Sequence, residues 1–316
     1  MNPDGFLADV LAEPATLDAL VDACASEPPP PLDADRVVLI GMGSSRFAAL
    51  TIATALRARG VDAVAEYAST EAPSPPRSGT LAVAISASGT TPETVEALAR
   101  HSDVSRTLAL TNNPDRTLGA VADAVVPLRA GEERGGIACK TFQATLALLH
   151  LMCGVAPDRL RRAAAAQADL FERRGAWLEP LLDLLDGAHT VYAIAPATRI
   201  SSSLESALMF REGPRVNADA TETGDWTHVD VYMTKHPGYR GLLFPGSPFD
   251  GEVMRWAAER DSSIVSIGRP VDGTVQRVEF DGAEDPVVCS LVDASVAELT
   301  AAELWRRMRA EGRALT

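Results

Sequence analysis

Two short segments gather hydroxyl side chains and glycine in a way that could hold an anion. Gly41-Met42-Gly43-Ser44-Ser45 follows the apolar run Arg36–Ile40, and Ser86-Ala87-Ser88-Gly89-Thr90-Thr91 follows Thr80–Ile85. Each stands where a short apolar run gives way to a helical pattern, so free N–H groups at a helix start and rotatable hydroxyls face the same point. The second segment offers four hydroxyls in six residues, with a glycine that lets backbone approach a ligand. Dipoles and hydroxyls could then hold a phosphate with little help from cations, which suits a chain whose only lysines are Lys140 and Lys235. The competing use of the same residues is helix capping. Two loops of this composition, each after a strand of one sheet, favour the anion.

Other chemistries are excluded by spacing or charge. Gly41-Met42-Gly43 begins like a dinucleotide fingerprint, but Arg46 stands at the third glycine position. Lys140 follows no glycine-rich phosphate loop. Cys24, Cys139, Cys153 and Cys289 form no C-x-x-C pair, so zinc ribbons and disulfide scaffolds are out and reduced thiols in a cytoplasmic protein are expected. His101, His150, His189 and His236 have no ligand spacing, and His150 on an apolar helical pattern reads as a packed core residue. No metal and no cofactor is expected. With 29 basic against 43 acidic residues and a net charge of −14, the chain lacks the footprint of a nucleic-acid binder and repels an anionic membrane. No apolar run is long enough to span a bilayer, and Met1–Glu13 has no basic region of the kind that opens a signal peptide.

The elements that must position these loops follow from the rest of the pattern. An apolar fraction of 46% over 316 residues supports a folded chain of about two domains. Strands are expected at Arg36–Ile40, Ala63–Tyr67, Thr80–Ile85, Thr107–Thr111 and Ala124–Leu128, with helices at Phe47–Arg57, from Pro92, and at Thr141–Met152. A second round reads as strand Thr190–Ala195, a Ser-rich loop at Ser201–Ser203, helix Leu204–Glu212, strand Gly241–Phe244, helix Gly251–Arg260, strand Ser263–Ile267, a further strand near Val275–Phe280 and helix Val296–Ala310. The leading helical stretch Phe6–Cys24 is expected to break at Pro14. Apolar strands alternating with helices indicate parallel sheets covered on both faces. The expected fold is therefore α/β: two doubly wound parallel sheets flanked by helices in three layers, related by duplication. The expected division is an N-terminal helix and linker over 1–35, a first domain over 36–153, connecting helices over 154–186 and a second domain over 187–316.

At this point the residues carry a resemblance. GMGSS, SASGTTPET and ERGGIACKTFQATLALLHLM, in that order, resemble the sugar isomerase (SIS) domain, a phosphosugar-binding fold. FLADVLAEPATL is similar to the helix that precedes that domain, and LESALMFREG to a helix of a second copy. The whole chain resembles a double-SIS protein, nearest to the isomerase half of glucosamine-6-phosphate synthase and to free-standing phosphosugar isomerases and deaminases. The resemblance implies that Ser44, Ser45, Ser86, Ser88 and Thr91 hold a sugar phosphate. It implies that Gly136, Ile137 and Ala138 line the sugar, with Lys140 registering to a nearby lysine if one gap is allowed. Glu212 aligns with the catalytic base, Glu205 with a carboxylate two turns earlier on the same helix face, and His228 with the histidine that assists ring opening.

The implied reaction is C1–C2 proton transfer on a hexose or amino-hexose 6-phosphate, as aldose–ketose isomerisation or as deamination. A carboxylate suffices as base, best with its pKa raised by partial burial. A homodimer with shared sites is implied. Ala87, Cys139 and Met209 depart from the pattern: the last stands where a positive charge is usual. No lysine follows Lys235, and Met1 leads directly into a short helix, so glutamine-dependent synthesis by this chain alone is not expected. The alternative is a non-catalytic phosphosugar sensor. On the residues alone, Glu212 could be a solvated last-turn residue, Glu205 a structural acid and His228 a loop histidine.

Overall fold

A computed structural model describes residues 1–313. The chain divides into two compact units: one comprises Ala15–Glu132 and Lys140–Arg161, the other Met1–Pro14, Glu133–Cys139 and the chain from Arg162 onward. We call them the first and second units.

The first unit is built on β1 (Arg36–Gly41), β2 (Asp62–Tyr67), β3 (Thr80–Ile85), β4 (Arg106–Thr111) and β5 (Ala124–Pro127). They form one parallel sheet in the order β2-β1-β3-β4-β5. Helix α1 (Pro3–Ser26) leads in; α2 (Ser44–Ala58), α3 (Pro92–Ala99), α4 (Thr117–Ala120) and α5 (Cys139–Met152) follow strands. β1 and β3 are apolar along almost their whole length because both sheet faces are covered. Val38, Ile40, Ala82, Ala84 and Ala109 from the sheet pack with Ala97, Leu98 and Leu118 from the helices in one core.

The second unit carries β6 (Thr190–Ala195), β7 (Ala218–Glu222), β8 (Tyr239–Leu243), β9 (Ser263–Gly268) and β10 (Gln276–Glu279), again all parallel. Its order is β7-β6-β8-β9-β10, the same winding as the first sheet strand for strand. Helices α6 (Pro157–Glu172), α7 (Leu178–Leu185), α8 (Ile200–Glu212), α9 (Thr223–Trp226), α10 (Asp250–Glu259) and α11 (Pro286–Ala310) complete the chain. Trp226, Tyr192 and Tyr239 anchor the core: Trp226 Nε1 donates to the Tyr239 hydroxyl at 2.9 Å, and the two tyrosine rings stack with centroids 4.7 Å apart. The α/β class and the two doubly wound parallel sheets agree with the expectation from sequence. Among the described residues no helix is long and apolar enough to cross a membrane.

Four local expectations are corrected. Helix α1 runs through Pro14 without a break. Its stripe of Phe6, Val10, Leu17, Leu20 and Val21 is buried, which offsets the ~3 kcal/mol that an interior proline costs. Ser201–Ser203 are helical, not loop. They lie fully buried in α8, where Ser203 Oγ bonds back to the Ile200 carbonyl at 3.0 Å. Helix α11 starts at Pro286, ten residues before the expected Val296. It is buried on nearly every side, so no apolar stripe marks its beginning; the available signal was Asp285, whose side chain accepts from Val287 N–H at 2.9 Å, followed by proline in the first turn. Edge strand β7 was not expected, because ADATE has no apolar run.

Candidate active site

In a parallel sheet of order 2-1-3-4-5 the chain reverses direction across β1 and β3, and a crevice opens beyond their carboxyl ends. The register pairs Ile40 with Ala84 there, so the loops that follow β1 and β3 start side by side. These are the two hydroxyl segments. The sequence left capping as their alternative use. Neither helix is capped by a side chain: Gly43 holds the cap position of α2 and Thr91 that of α3, each without a side-chain cap bond.

The hydroxyls turn to one another instead. Ser86 Oγ lies 2.9 Å from Thr91 Oγ1 and 3.5 Å from Ser88 Oγ; Ser88 Oγ in turn accepts from Thr90 N–H at 3.2 Å. Ser86 is buried, Thr91 half-buried and Ser88 exposed, so the cluster grades from the sheet end to solvent. Ser44 and Ser45 stand half-buried in the first turn of α2. Thr111 and Asn113, at the end of β4, fix the loop by donating to the Ala87 carbonyl at 3.3 and 3.2 Å. Gly89 sits at φ +68°, and a Cβ there would come within 2.9 Å of Thr111 Oγ1. Only glycine fits.

Lys140 lies at the base of the next loop. It is buried, and its Nζ donates to the Glu132 carbonyl, joining the two ends of the Glu133–Cys139 excursion. The excursion itself belongs to the second unit, where the start of α1 clamps it. Asn2 N–H donates to the Gly135 carbonyl at 3.1 Å, and Asp9 Oδ2 accepts from Gly135 N–H at 2.7 Å. A Cβ on Gly135 would fall 2.4 Å from Phe6 backbone. Ile137 is buried, Ala138 half-buried and Gly136 exposed at φ +75° beside Met1.

Met1 also borders a hollow of about 390 Å³ whose other lining residues are Arg211, Glu212, Arg215, Val216 and Asn217. Glu212 ends α8, half-buried. Burial raises its carboxyl pKa above the ordinary carboxylate range, with Arg211 opposing. That is the direction a general base needs. Neither Glu205 nor His228 lines this hollow. Glu205 is fully buried within α8. His228 is exposed just past α9, where Glu222 caps the helix by accepting from Gly224 and Asp225 N–H at 2.8 and 3.0 Å. The structure therefore gathers Ser86, Ser88 and Thr91 in one place and Gly136 and Glu212 around Met1, and leaves His228 apart.

Three features of this geometry went unread in the sequence. Asn2 and Asp9 clamp the excursion, and the spacing of polar residues on an otherwise apolar helix was their faint signal. Arg211 and Arg215 border the hollow. Below α1, Glu13 and Glu298 form a buried carboxyl pair: Gln167 Nε2 donates to Glu13, and burial pushes Glu298 up to about 7 and Glu13 well above its ordinary value.

A doubly wound α/β unit with hydroxyl-rich helix starts, uncapped by side chains, beyond β1 and β3 defines the class. Residues 32–153 match the model of the SIS domain. In sequence it is related to the glutamine–fructose-6-phosphate aminotransferase [isomerizing] of Gloeobacter violaceus, with 25% identity over 271 residues, 79% of this chain and 44% of that protein. The chain thus spans less than half the length of that relative. Two solved structures share the fold across nearly the whole chain. The C-terminal domain of glucosamine-fructose-6-phosphate aminotransferase from Francisella tularensis superposes with a TM-score of 0.82 at 15% identity, covering 96% of each chain. Glucosamine-6-phosphate deaminase from Thermotoga maritima does so with a TM-score of 0.76 at 16% identity, covering 98% of this chain and 96% of that one.

Proposed function

We propose that this chain is a cytoplasmic enzyme that binds a hexose or amino-hexose 6-phosphate and moves a proton between C1 and C2, by isomerisation or deamination. The observation that carries the reading is the Ser86–Ser88–Thr91 cluster, whose hydroxyls cap no helix and bond to one another and to nearby backbone. Neutral hydroxyl–hydroxyl bonds exchange readily for stronger bonds to a phosphate dianion. On this reading Ser44 and Ser45 complete the phosphate grip, Gly136, Ile137 and Ala138 line the sugar, and Lys140 holds that loop in place. Glu212 is the base. His228, exposed and outside the hollow, serves ring opening across a homodimer interface. Glu205, buried in the same helix, positions Glu212. The common winding of the two sheets supports residues 187–316 as a second SIS-type domain that arose by duplication.

The test is a panel of hexose and hexosamine phosphates with ammonia release read separately. Turnover of at least one is expected, and Glu212→Gln should lower it by ~10²-fold or more while phosphosugar affinity stays within about twofold. Full turnover in that variant overturns the base. The second reading, a phosphosugar sensor without catalysis, is favoured by one observation: Met209, at the position where a positive charge is expected, is fully buried. Binding across the panel with no turnover of any member would establish it.

A further inference from the structure

Glu13 and Glu298 take no part in the chemistry proposed above, yet both are buried. Their surroundings tie three helices of the second unit together. Gln167 Nε2, from α6, donates to Glu13 Oε2 on α1 and, at 2.6 Å, to Ser295 Oγ on α11; Ser295 Oγ donates to Glu13 Oε2 at 3.3 Å. Glu13 Oε1 is buried and receives none of these bonds. The Glu298 carboxyl lies within hydrogen-bond reach of Glu13. Two carboxylates only repel, and a carboxylic acid donates, so one shared proton closes the pair. The charges nearest to it do not replace that proton. Glu133, on the Glu133–Cys139 excursion, acts on both carboxyls, and the Cys139 thiol at the start of α5 feels Glu13, Glu133, Glu298 and the Asp9 carboxylate of α1. The same helix reaches the candidate site. Asp9 stands one turn before Glu13 on α1 and accepts from Gly135 N–H at 2.7 Å, while Asn2 N–H donates to the Gly135 carbonyl. Whatever seats α1 on α11 therefore also seats Gly136, Ile137 and Ala138.

We propose that the Glu13–Glu298 pair is a proton-operated latch, which seats α1 and the 133–139 excursion for phosphosugar binding when protonated and releases both when the proton leaves. The inference rests on the phosphosugar reading above, which sets that excursion against the sugar. Opening gives one proton to solvent and closing takes it back; no bond other than that O–H is made or broken. The sign follows from burial, which raises Glu298 to about 7. The latch is closed below that value and opens as pH rises through it. Above it, each pH unit favours the open form by about tenfold, the effect of one proton bound only in the closed form.

The experiment has two arms, both on the full chain. The first is amide hydrogen exchange without ligand. After correction for intrinsic exchange, protection of amides 133–139 should fall at least tenfold between pH 7 and 8.5 in wild type. In Glu298→Gln, whose amide donates to Glu13 without titrating, it should stay within threefold. Glu13→Gln supplies the same neutral bond from the other side and should behave alike. The second arm is calorimetry with D-glucitol 6-phosphate, which carries the phosphate and cannot isomerise. Wild type should bind it at least threefold more weakly at pH 8.5 than at pH 7. At pH 8, where the phosphate is already dianionic, paired buffers of different ionisation enthalpy should show proton uptake on binding. Glu298→Gln should bind within twofold at both pH values and take up no proton. Protection that does not fall in wild type, or falls equally in the variants, overturns the latch. Protection that responds while affinity does not overturns its link to sugar binding. A wild type that fails to bind the glucitol phosphate at pH 7 overturns the phosphosugar reading and with it that link, even where exchange upholds the latch.

Discussion

The two sheets wind identically, yet their switch points are furnished in opposite ways. Beyond β1 and β3 the loops offer hydroxyls and two uncapped helix starts. Beyond β6 and β8 the loop donors are already engaged by the chain's own side chains, around a hollow of about 100 Å³ lined by Pro196, Thr198, Arg199, Gly246 and Arg269. Arg199 is buried there, bonded to Asp293 and to the Pro245 carbonyl. The loop N–H groups of Gly246 and Ser247, which could bind an anion, already donate to the chain's own Asp250 Oδ2, at 2.6 and 3.2 Å. Topology supplies a crevice twice; what the loop donors already bond to decides whether a ligand can enter. A neutral hydroxyl cluster yields to a phosphate, whereas a built-in carboxylate competes with it.

Four experiments break or sharpen that contrast. The largest effect is expected from Asp293→Ala, which strands the buried Arg199 charge and should cost about 3–5 kcal/mol in denaturant unfolding while phosphosugar affinity holds. If affinity collapses along with stability, the second crevice is no mere filling.

Next in size, Ser86→Ala and Ser88→Ala should each weaken phosphosugar binding by ~1.5–3 kcal/mol, as expected for bonds to a charged group. Calorimetry showing unchanged affinity in the double variant would remove the hydroxyl cluster from the site.

The units should also differ in pH response, because hydroxyls do not titrate in the working range and the buried acids do. Burial raises Asp293 to about 6 despite Arg199, and Glu298 to about 7. Groups with raised folded pKa values add stability that is complete below the unfolded value, near ~4, and is lost as pH rises through the folded one. Tm should therefore fall between about pH 4.5 and 7, and Glu298→Gln should flatten part of that slope. A slope unchanged by Glu298→Gln would show that the Glu13–Glu298 pair does not share a proton.

The smallest effect tests the filling itself. Asp250→Ala frees the Gly246 and Ser247 donors at a cost of ~1 kcal/mol. In a Ser86→Ala/Ser88→Ala background it should give a phosphate-dependent rise in Tm that the background lacks. No rise would mean that the second crevice is closed by more than its carboxylate.

Much of this was legible in the chain. Short apolar runs read as strands because both faces of a parallel sheet are covered, and loop chemistry stood out because glycine, serine and threonine cluster right after β1 and β3. Legibility failed where burial erased periodicity, as along the first ten residues of α11, or where an edge strand such as β7 had no apolar run to show. Pro14 misled because a local rule was overridden by the packing of α1.

What the sequence by itself determined is the alternation of elements and the hydroxyl loops, since both follow from propensities and patterns within a few residues. Only the tertiary structure decided which donors remain open. Whether Thr91 caps its helix or turns to Ser86, and whether Asp250 engages the loop before it, depend on groups brought together by folding, and on which neighbour offers each donor the better bond.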